Sequence, residues 1–135
     1  MNASTKPPGR YLLDTNVVIA LQRGDAAVLA SVEQAAEVFV LATAVGELYY
    51  GALHSGHPAR NVARVAELVA AAAVLPSDAE TALVYGDLKA ELRKLGRPIP
   101  ENDVWIAAAA VQHGLTLVSR DAHFDAIERL PREVW

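Results

Sequence analysis

Residues 10–16 read RYLLDTN, an apolar strand-like segment that runs directly into residues favouring turns and helix N-caps. The same arrangement recurs near the other end of the chain, where the strand-like TLV of residues 116–118 precedes SRD at 119–121. In an open α/β sheet, ligands bind beyond the carboxyl ends of the strands. The residues directly after the two strand-like stretches, above all Asp14 and Asp121, are therefore candidate site residues.

Strand-like and helix-like stretches alternate along the rest of the chain. Residues 38–41 are β-branched and aromatic, as in a buried strand. We expect Thr43 to cap the next helix, and Ser77 and Glu80 to form a capping box at the start of a longer one. The predicted strands are 10–13, 38–41, 74–75, 116–118 and 133–135, and the predicted helices are 17–21, 26–36, 43–54, 59–72, 77–95 and 103–113. This alternation predicts an α/β fold of three layers (α/β/α), with a central, mainly parallel sheet of four to five strands and right-handed crossovers.

The length and composition fit one globular domain. The chain has 135 residues, of which 53% are hydrophobic and 21% are charged. We therefore predict a single domain over residues 1–135, with a polar N-terminal tail at 1–9. Because cysteine is absent, disulfides, thiolate zinc sites and cysteine nucleophiles are excluded. The formal net charge of −4 argues against nonspecific binding of nucleic acid through net charge alone. A role in binding nucleic acid would therefore require a local feature of the surface.

No targeting or membrane segment is evident in the sequence. The N-terminal region lacks the hydrophobic stretch of a signal peptide, since the first apolar run is interrupted at Asp14. The longest apolar runs, at residues 68–75 and 104–111, are much shorter than the roughly 20 residues of a membrane helix. We expect a cytoplasmic protein that does not associate with membranes.

The candidate site is a set of carboxylates. Asp103 opens a predicted helix and Glu47 lies about one turn into another, so both are expected at the edge of the sheet that also carries Asp14 and Asp121. Two carboxylates 4 Å apart repel by roughly 4 kcal/mol at an effective dielectric constant near 20, which a hard divalent cation offsets. Oxygen ligands favour Mg²⁺ or Mn²⁺ over Zn²⁺. Taken singly, each acid is explained equally well as a helix cap or a solvated charge.

Several short motifs together resemble the PIN domain family, particularly its VapC-type toxins from bacterial toxin–antitoxin pairs. These motifs are LLDTN (12–16), EL (47–48), NDVWIAA (102–108) and VSRDAHF (118–124). The resemblance implies a metal-dependent endoribonuclease that hydrolyses RNA phosphodiester bonds through metal-activated water. It also implies a VapB-type antitoxin as partner and a homodimer.

The same resemblance implies roles for individual residues. The residues that match the family's acidic positions around one or two Mg²⁺ or Mn²⁺ ions are Asp14, Glu47, Asp103 and Asp121. Thr15 and Asn16 match polar positions of the first motif. Ser119 stands where many relatives carry threonine, so the hydroxyl is kept, and we expect it to orient Asp121 or a water molecule.

Other interpretations of the sequence stay open. The chain is alternatively an RNA-processing nuclease outside a toxin pair; an adjacent small gene that encodes a DNA-binding antitoxin would favour the toxin instead. It is alternatively a noncatalytic α/β interaction module, in which the acids only cap helices and bind a basic partner. A phosphoaspartyl enzyme is disfavoured, because residues 14–16 lack a second aspartate and no catalytic lysine is evident.

The histidines give no independent signal for catalysis. His54 and His57 flank a predicted helix end, so we interpret them as loop residues rather than metal ligands. His113 and His123 have no identifiable serine or cysteine partner, and the chain contains no Gly-x-Ser-x-Gly motif.

Basic and aromatic residues elsewhere are ambiguous. Lys89, Arg93 and Arg97 recur at four-residue spacing, which favours an ordinary solvated helix face over RNA contact. Tyr49 and Tyr50 are adjacent and cannot share one helix face, so we expect one in the core and the other near the site or a partner surface.

Overall fold

The computed structural model describes residues 9–135, in which strands and helices alternate as predicted. The strands are β1 (Arg10–Leu13), β2 (Glu37–Leu41), β3 (Ala73–Leu75), β4 (Thr116–Val118) and β5 (Arg132–Glu133). The helices are α1 (Thr15–Gln22), α2 (Ala26–Gln34), α3 (Ala42–Leu53), α4 (Pro58–Ala71), α5 (Ala79–Lys94) and α6 (Glu101–His113), followed by a short 3₁₀ helix at Ala122–Ala126. Most of the predicted polar tail at 1–9 lies outside the described residues. The single-domain division over 1–135 stays a prediction.

The strands form one five-stranded sheet in the order β3-β2-β1-β4-β5. Every neighbouring pair is parallel, which confirms the predicted α/β class and parallel sheet. Leu12 of β1 pairs in register with Phe39 of β2 on one side and Leu117 of β4 on the other. The carboxyl ends of β1 and β4 are therefore adjacent, and the amide of Asp14 donates a hydrogen bond of 3.0 Å to the carbonyl of Val118.

The core lies where the sheet meets α6. Leu12, Leu117 and Phe124 are completely buried, as is the alanine run at residues 107–110 of α6. Alanine has a small side chain and the highest helix propensity, so a helix face of alanines packs closely on a sheet. This packing holds the first turn of α6 at the same edge as the ends of β1 and β4. Within residues 9–135, no helix has the length and hydropathy needed to cross a lipid bilayer.

Two helix caps differ from the prediction. Asp78, not Ser77, is the N-cap of α5, and its reciprocal partner is Thr81 rather than Glu80. The Thr81 amide donates to Asp78 Oδ1 at 3.0 Å, and the Asp78 amide donates to Thr81 Oγ1 at 3.0 Å. The prediction placed the capping box one residue too early, because Ser-x-x-Glu and Asp-x-x-Thr overlap in the sequence. Thr43 is also not a cap, since α3 follows β2 directly and begins at Ala42.

Element ends deviate elsewhere by one or two residues. Helix α2 ends at Gln34 instead of residue 36, because Ala35 is already extended with φ −70° and ψ 145°. The edge strand β5 covers Arg132–Glu133 and does not include the last two residues that the sequence had suggested. Helix α6 ends at His113 as predicted, and Gly114 follows with φ +64°, a conformation that favours glycine.

Candidate functional site

Asp14 is held between two strands at the carboxyl edge of the sheet. It follows β1, caps α1 and is only 7% exposed. Its Oδ1 accepts a hydrogen bond of 2.8 Å from the amide of Thr15, and its Oδ2 accepts one of 2.8 Å from the hydroxyl of Ser119. These two donors come from chain segments far apart in sequence, so the carboxylate has one defined orientation.

Ser119 connects two of the predicted site residues. It is completely buried at the end of β4. Its hydroxyl donates to Asp14 and accepts a hydrogen bond of 3.1 Å from the amide of Asp121. Ser119 therefore orients the side chain of Asp14 and the backbone that carries Asp121. The sequence had led us to expect a contact with Asp121 or a water molecule, and the contact with Asp14 is additional.

Glu47 is brought to the same edge by α3. The hydroxyl of Thr15, at the start of α1, donates to Glu47 Oε1 at 3.0 Å. Thr15 thus contacts Asp14 through its amide and Glu47 through its side chain. The first turn of α1 is the physical link between these two carboxylates.

Asp103 and Asp121 lie on either side of His123, a residue that sequence reasoning did not include in the site. His123 Nε2 lies 3.0 Å from Asp103 Oδ2, and Nδ1 lies 2.9 Å from Asp121 Oδ1. Nε2 is buried and has no hydrogen bond of normal geometry within residues 9–135, so its contact with Asp103 is a close approach without a directed hydrogen bond. The Asp-x-His spacing at the start of the 3₁₀ helix was the available signal for His123.

The predicted acids line one open cavity of about 370 Å³. Its lining residues are Asp14, Thr15, Asn16, Glu47, Pro100, Glu101, Asn102, Asp103 and Asp121. The sequence-predicted carboxylates, which are separated by up to 107 positions between Asp14 and Asp121, therefore converge in the fold.

The charge in this acidic cavity is poorly compensated. The pKa of Asp103 is raised from 3.8 to about 6, mainly by burial and then by the nearby charges of Asp14, Glu47 and Asp121, while His123 acts in the opposite direction. Clustered carboxylates of this kind fit a divalent cation, which replaces the missing positive charge. One ligand atom each from Asp103, Asp121 and His123 lies within 4.8 Å of the others, a spacing that a single ion can span.

Comparison with known proteins identifies the family. The sequence pattern of the PIN domain family matches residues 11–130. The chain belongs to the PIN domain family. This PIN domain is 39% identical over 129 residues to "Ribonuclease VapC2" of Haemophilus influenzae, covering 93% of this chain and 98% of the relative. It is 32% identical over 132 residues to "tRNA(fMet)-specific endonuclease VapC" of Shigella flexneri, covering 93% and 98% of the two chains.

A solved structure shares the fold of this PIN domain. The VapBC2 complex of Rickettsia felis, bound to a DNA fragment from its promoter, contains a chain that superposes with a TM-score of 0.86. The two chains are 27% identical, and the match covers 93% of this PIN domain and 98% of the other chain. The resemblance seen in the motifs is thereby confirmed for both sequence and fold.

The remaining sequence candidates lie outside the acidic cavity. Tyr49 packs against the core, whereas Tyr50 is 65% exposed and stacks on His54 with ring centroids 4.2 Å apart. His57 is the N-cap of α4. Lys89, from the basic stripe of residues 89, 93 and 97, forms a salt bridge of 2.8 Å with Glu101.

Proposed function

We propose that this PIN domain is the toxin of a toxin–antitoxin pair, an endoribonuclease that uses Mg²⁺ or Mn²⁺ to hydrolyse RNA phosphodiester bonds. The catalytic residues and metal ligands are Asp14, Glu47, Asp103 and Asp121. The observation that carries this proposal is the convergence of these carboxylates in one cavity at the carboxyl ends of β1 and β4. The VapC ribonucleases among the relatives support the same reaction.

The residues of the site have two roles: the carboxylates bind the metal ion, and the residues beside them fix the orientation of the carboxylates. Asp14 is the most firmly oriented ligand, because Thr15 and Ser119 each donate a hydrogen bond to it. Glu47 is oriented by the Thr15 hydroxyl. His123 lies between Asp103 and Asp121, and holds these two carboxylates at a fixed separation. Asn16 lines the cavity and offers a polar contact for the substrate.

The carboxylates of the site carry no positive charge, and a divalent cation would provide it. When bound, it offsets the charge on the phosphate oxygens and makes water a better nucleophile at neutral pH. The protein contributes a preorganised set of oxygen donors, so that little rearrangement is needed when the ion and the RNA bind.

Partners and location follow from the relatives and the proposed substrate. The Rickettsia felis chain is part of a VapBC complex, and we infer a VapB-type antitoxin as the partner that restrains this ribonuclease. A homodimer stays a prediction from the family resemblance. Because RNA and an antitoxin must both reach the acidic cavity, we place the protein in the cytoplasm.

The test is RNA cleavage by the purified protein after any copurifying inhibitor has been removed. We expect cleavage of total RNA with Mg²⁺, no cleavage in EDTA, and a loss of about 100-fold or more in Asp14→Asn, which removes a ligand charge with little change in volume. Asp87→Asn is the matched control, because Asp87 is an exposed acid on α5 outside the acidic cavity. Cleavage by Asp14→Asn at the wild-type rate would refute the proposed site.

A further inference from the structure

A second groove adjoins the acidic cavity. It lies between α1, α3 and α4, has a volume of about 450 Å³, and has a buried apolar floor that includes Leu48, Ala52 and Val65. Glu47 lines both this groove and the acidic cavity, so the two are adjacent at this residue. A polymer that passes through the acidic cavity can therefore extend into this groove.

Arginines gather along the groove although the protein as a whole is acidic. Arg23, Arg60 and Arg64 all line it, and we call it the arginine groove. Arg60 and Arg64 are four residues apart on α4, so their side chains share one helix face. Arg23 directly follows the end of α1, which also lines the groove. The net charge of −4 makes this local concentration of positive charge a distinct feature of the surface.

These arginines are available to an anionic ligand. All three are exposed, and within residues 9–135 none of them forms a salt bridge; the arginines that do are Arg10, Arg120, Arg129 and Arg132. Arg64 is partly fixed, because its Nη2 donates a hydrogen bond of 2.8 Å to the carbonyl of Gln22. The remaining donors on each guanidinium suit phosphate oxygens, which arginine binds in a bidentate manner.

We propose that the arginine groove binds the RNA backbone on one side of the scissile phosphodiester, through phosphate contacts with Arg23, Arg60 and Arg64. This inference rests on the proposed ribonuclease function. An acidic cavity repels RNA, so the substrate needs a neighbouring source of positive charge to enter it. The arginine groove is adjacent to the cavity at Glu47 and carries that charge. The apolar floor also suits a protein segment, but three exposed arginines without a salt bridge within residues 9–135 favour a ligand that carries a negative charge at every repeat, as an RNA backbone does.

Binding in EDTA separates this inference from catalysis. The probe is a fluorescein-labelled single-stranded oligouridylate, and the readout is its dissociation constant, measured by fluorescence anisotropy over a range of salt concentrations. We expect the double variant Arg60→Ala/Arg64→Ala to bind about 10-fold more weakly. The log–log salt dependence should become shallower by about 0.7 for each phosphate that the variant no longer neutralises. Arg60→Lys should keep the wild-type salt dependence, because lysine retains the positive charge that neutralises a phosphate although it does not bind in a bidentate manner.

Matched controls exclude trivial causes. Arg93→Ala removes the same charge from an exposed position on α5 outside the arginine groove, and should bind RNA as the wild type does. Arg60→Ala alone removes no hydrogen bond found within residues 9–135, so it tests the groove even if the double variant folds poorly. Thermal melts of all variants establish that the fold is retained.

Three results would overturn the inference. They are no measurable binding by the wild type, unchanged affinity and salt dependence in the folded arginine variants, and an equal loss in Arg93→Ala. Variants that lose a copurifying antitoxin but bind RNA normally would assign the groove to a protein partner instead. If the wild type fails to cleave total RNA with Mg²⁺ while binding still depends on Arg60 and Arg64, the proposed nuclease fails and the RNA groove stands.

Discussion

Asp14 and Asp103 face the same acidic cavity but are held in different ways. Asp14 accepts hydrogen bonds from Thr15 and Ser119, which lie just after β1 and β4 respectively. Asp103 lies on the first turn of α6, and the nearest side-chain nitrogen to its carboxylate is the buried Nε2 of His123 at 3.0 Å, which forms no hydrogen bond of normal geometry within residues 9–135. Burial is the main cause that raises the pKa of Asp103 to about 6. One side of the site is therefore ordered by hydrogen bonds, and on the other side burial and neighbouring carboxylates make the charge of Asp103 unfavourable.

The largest effect is expected on the hydrogen-bonded side. Ser119→Ala removes the donor to Asp14 and the acceptor of the Asp121 amide, and both partners are left without that hydrogen bond. We expect RNA cleavage with Mg²⁺ to fall by about 10- to 100-fold, and the free energy of unfolding to fall by about 1–3 kcal/mol. Ser119→Thr keeps the hydroxyl and should retain most activity. Full activity of Ser119→Ala would show that Asp14 does not need this orientation.

A smaller effect is expected on the other side of the acidic cavity. His123→Ala removes the group between Asp103 and Asp121 and leaves both carboxylates in place. We expect cleavage to fall by about 10-fold at low Mg²⁺ and to recover in part at high Mg²⁺, because the added ion replaces the lost ordering. His113→Ala is the control, since His113 lies at the far end of α6. An equal loss at every Mg²⁺ concentration would exclude a role in holding the ligands.

The smallest effect is expected on the stability of the metal-free protein, which should depend on pH through Asp103. In the folded protein the pKa of Asp103 is about 6, above the ordinary value of 3.8, so folding favours the protonated carboxyl. Stability from this group is present below about pH 4 and is lost as the pH rises through about 6. In EDTA we expect Asp103→Asn to avoid this loss, and to be about 1–2 kcal/mol more stable than the wild type at neutral pH.

Urea unfolding across this pH range gives the measurement. The difference between the wild type and Asp103→Asn should grow as the pH rises from about 4 to about 6, and added Mg²⁺ should reduce it by stabilising the wild type alone. The exposed Asp87→Asn variant should run parallel to the wild type. Parallel curves for Asp103→Asn would mean that its carboxylate carries no unfavourable charge in the folded state.

Much of the fold was predictable because strands and their following turns are local features. The segments RYLLDTN and TLVSRD predicted that Asp14 and Asp121 follow strands, and the parallel sheet places those strands side by side. The capping of α5 was wrong by one residue, since two overlapping motifs at 77–81 have similar local preferences. The backbone of Asp78 is extended and its side chain caps the helix, so the Asp78–Thr81 motif forms the capping box instead of Ser77–Glu80.

The parts that the sequence did not predict depend on long-range contacts. His123 joins the site because the 3₁₀ helix turns it towards Asp103 on α6, a long-range contact that the local Asp-x-His spacing does not predict. The arginine groove was missed for the same reason, since Arg23 follows α1 whereas Arg60 and Arg64 lie on α4, far along the chain. The basic stripe on α5 was visible as a regular spacing, yet its Lys89 pairs with Glu101.

The central claim is that the carboxylates of the acidic cavity form one divalent-cation site. Titration with Mn²⁺, followed by the electron paramagnetic resonance signal of the free ion, tests this claim without RNA or turnover. We predict that the wild type and Asp87→Asn bind Mn²⁺ alike, and that Asp14→Asn and Asp103→Asn each bind it about 10-fold or more weakly. Wild-type Mn²⁺ affinity in both cavity variants would contradict the account.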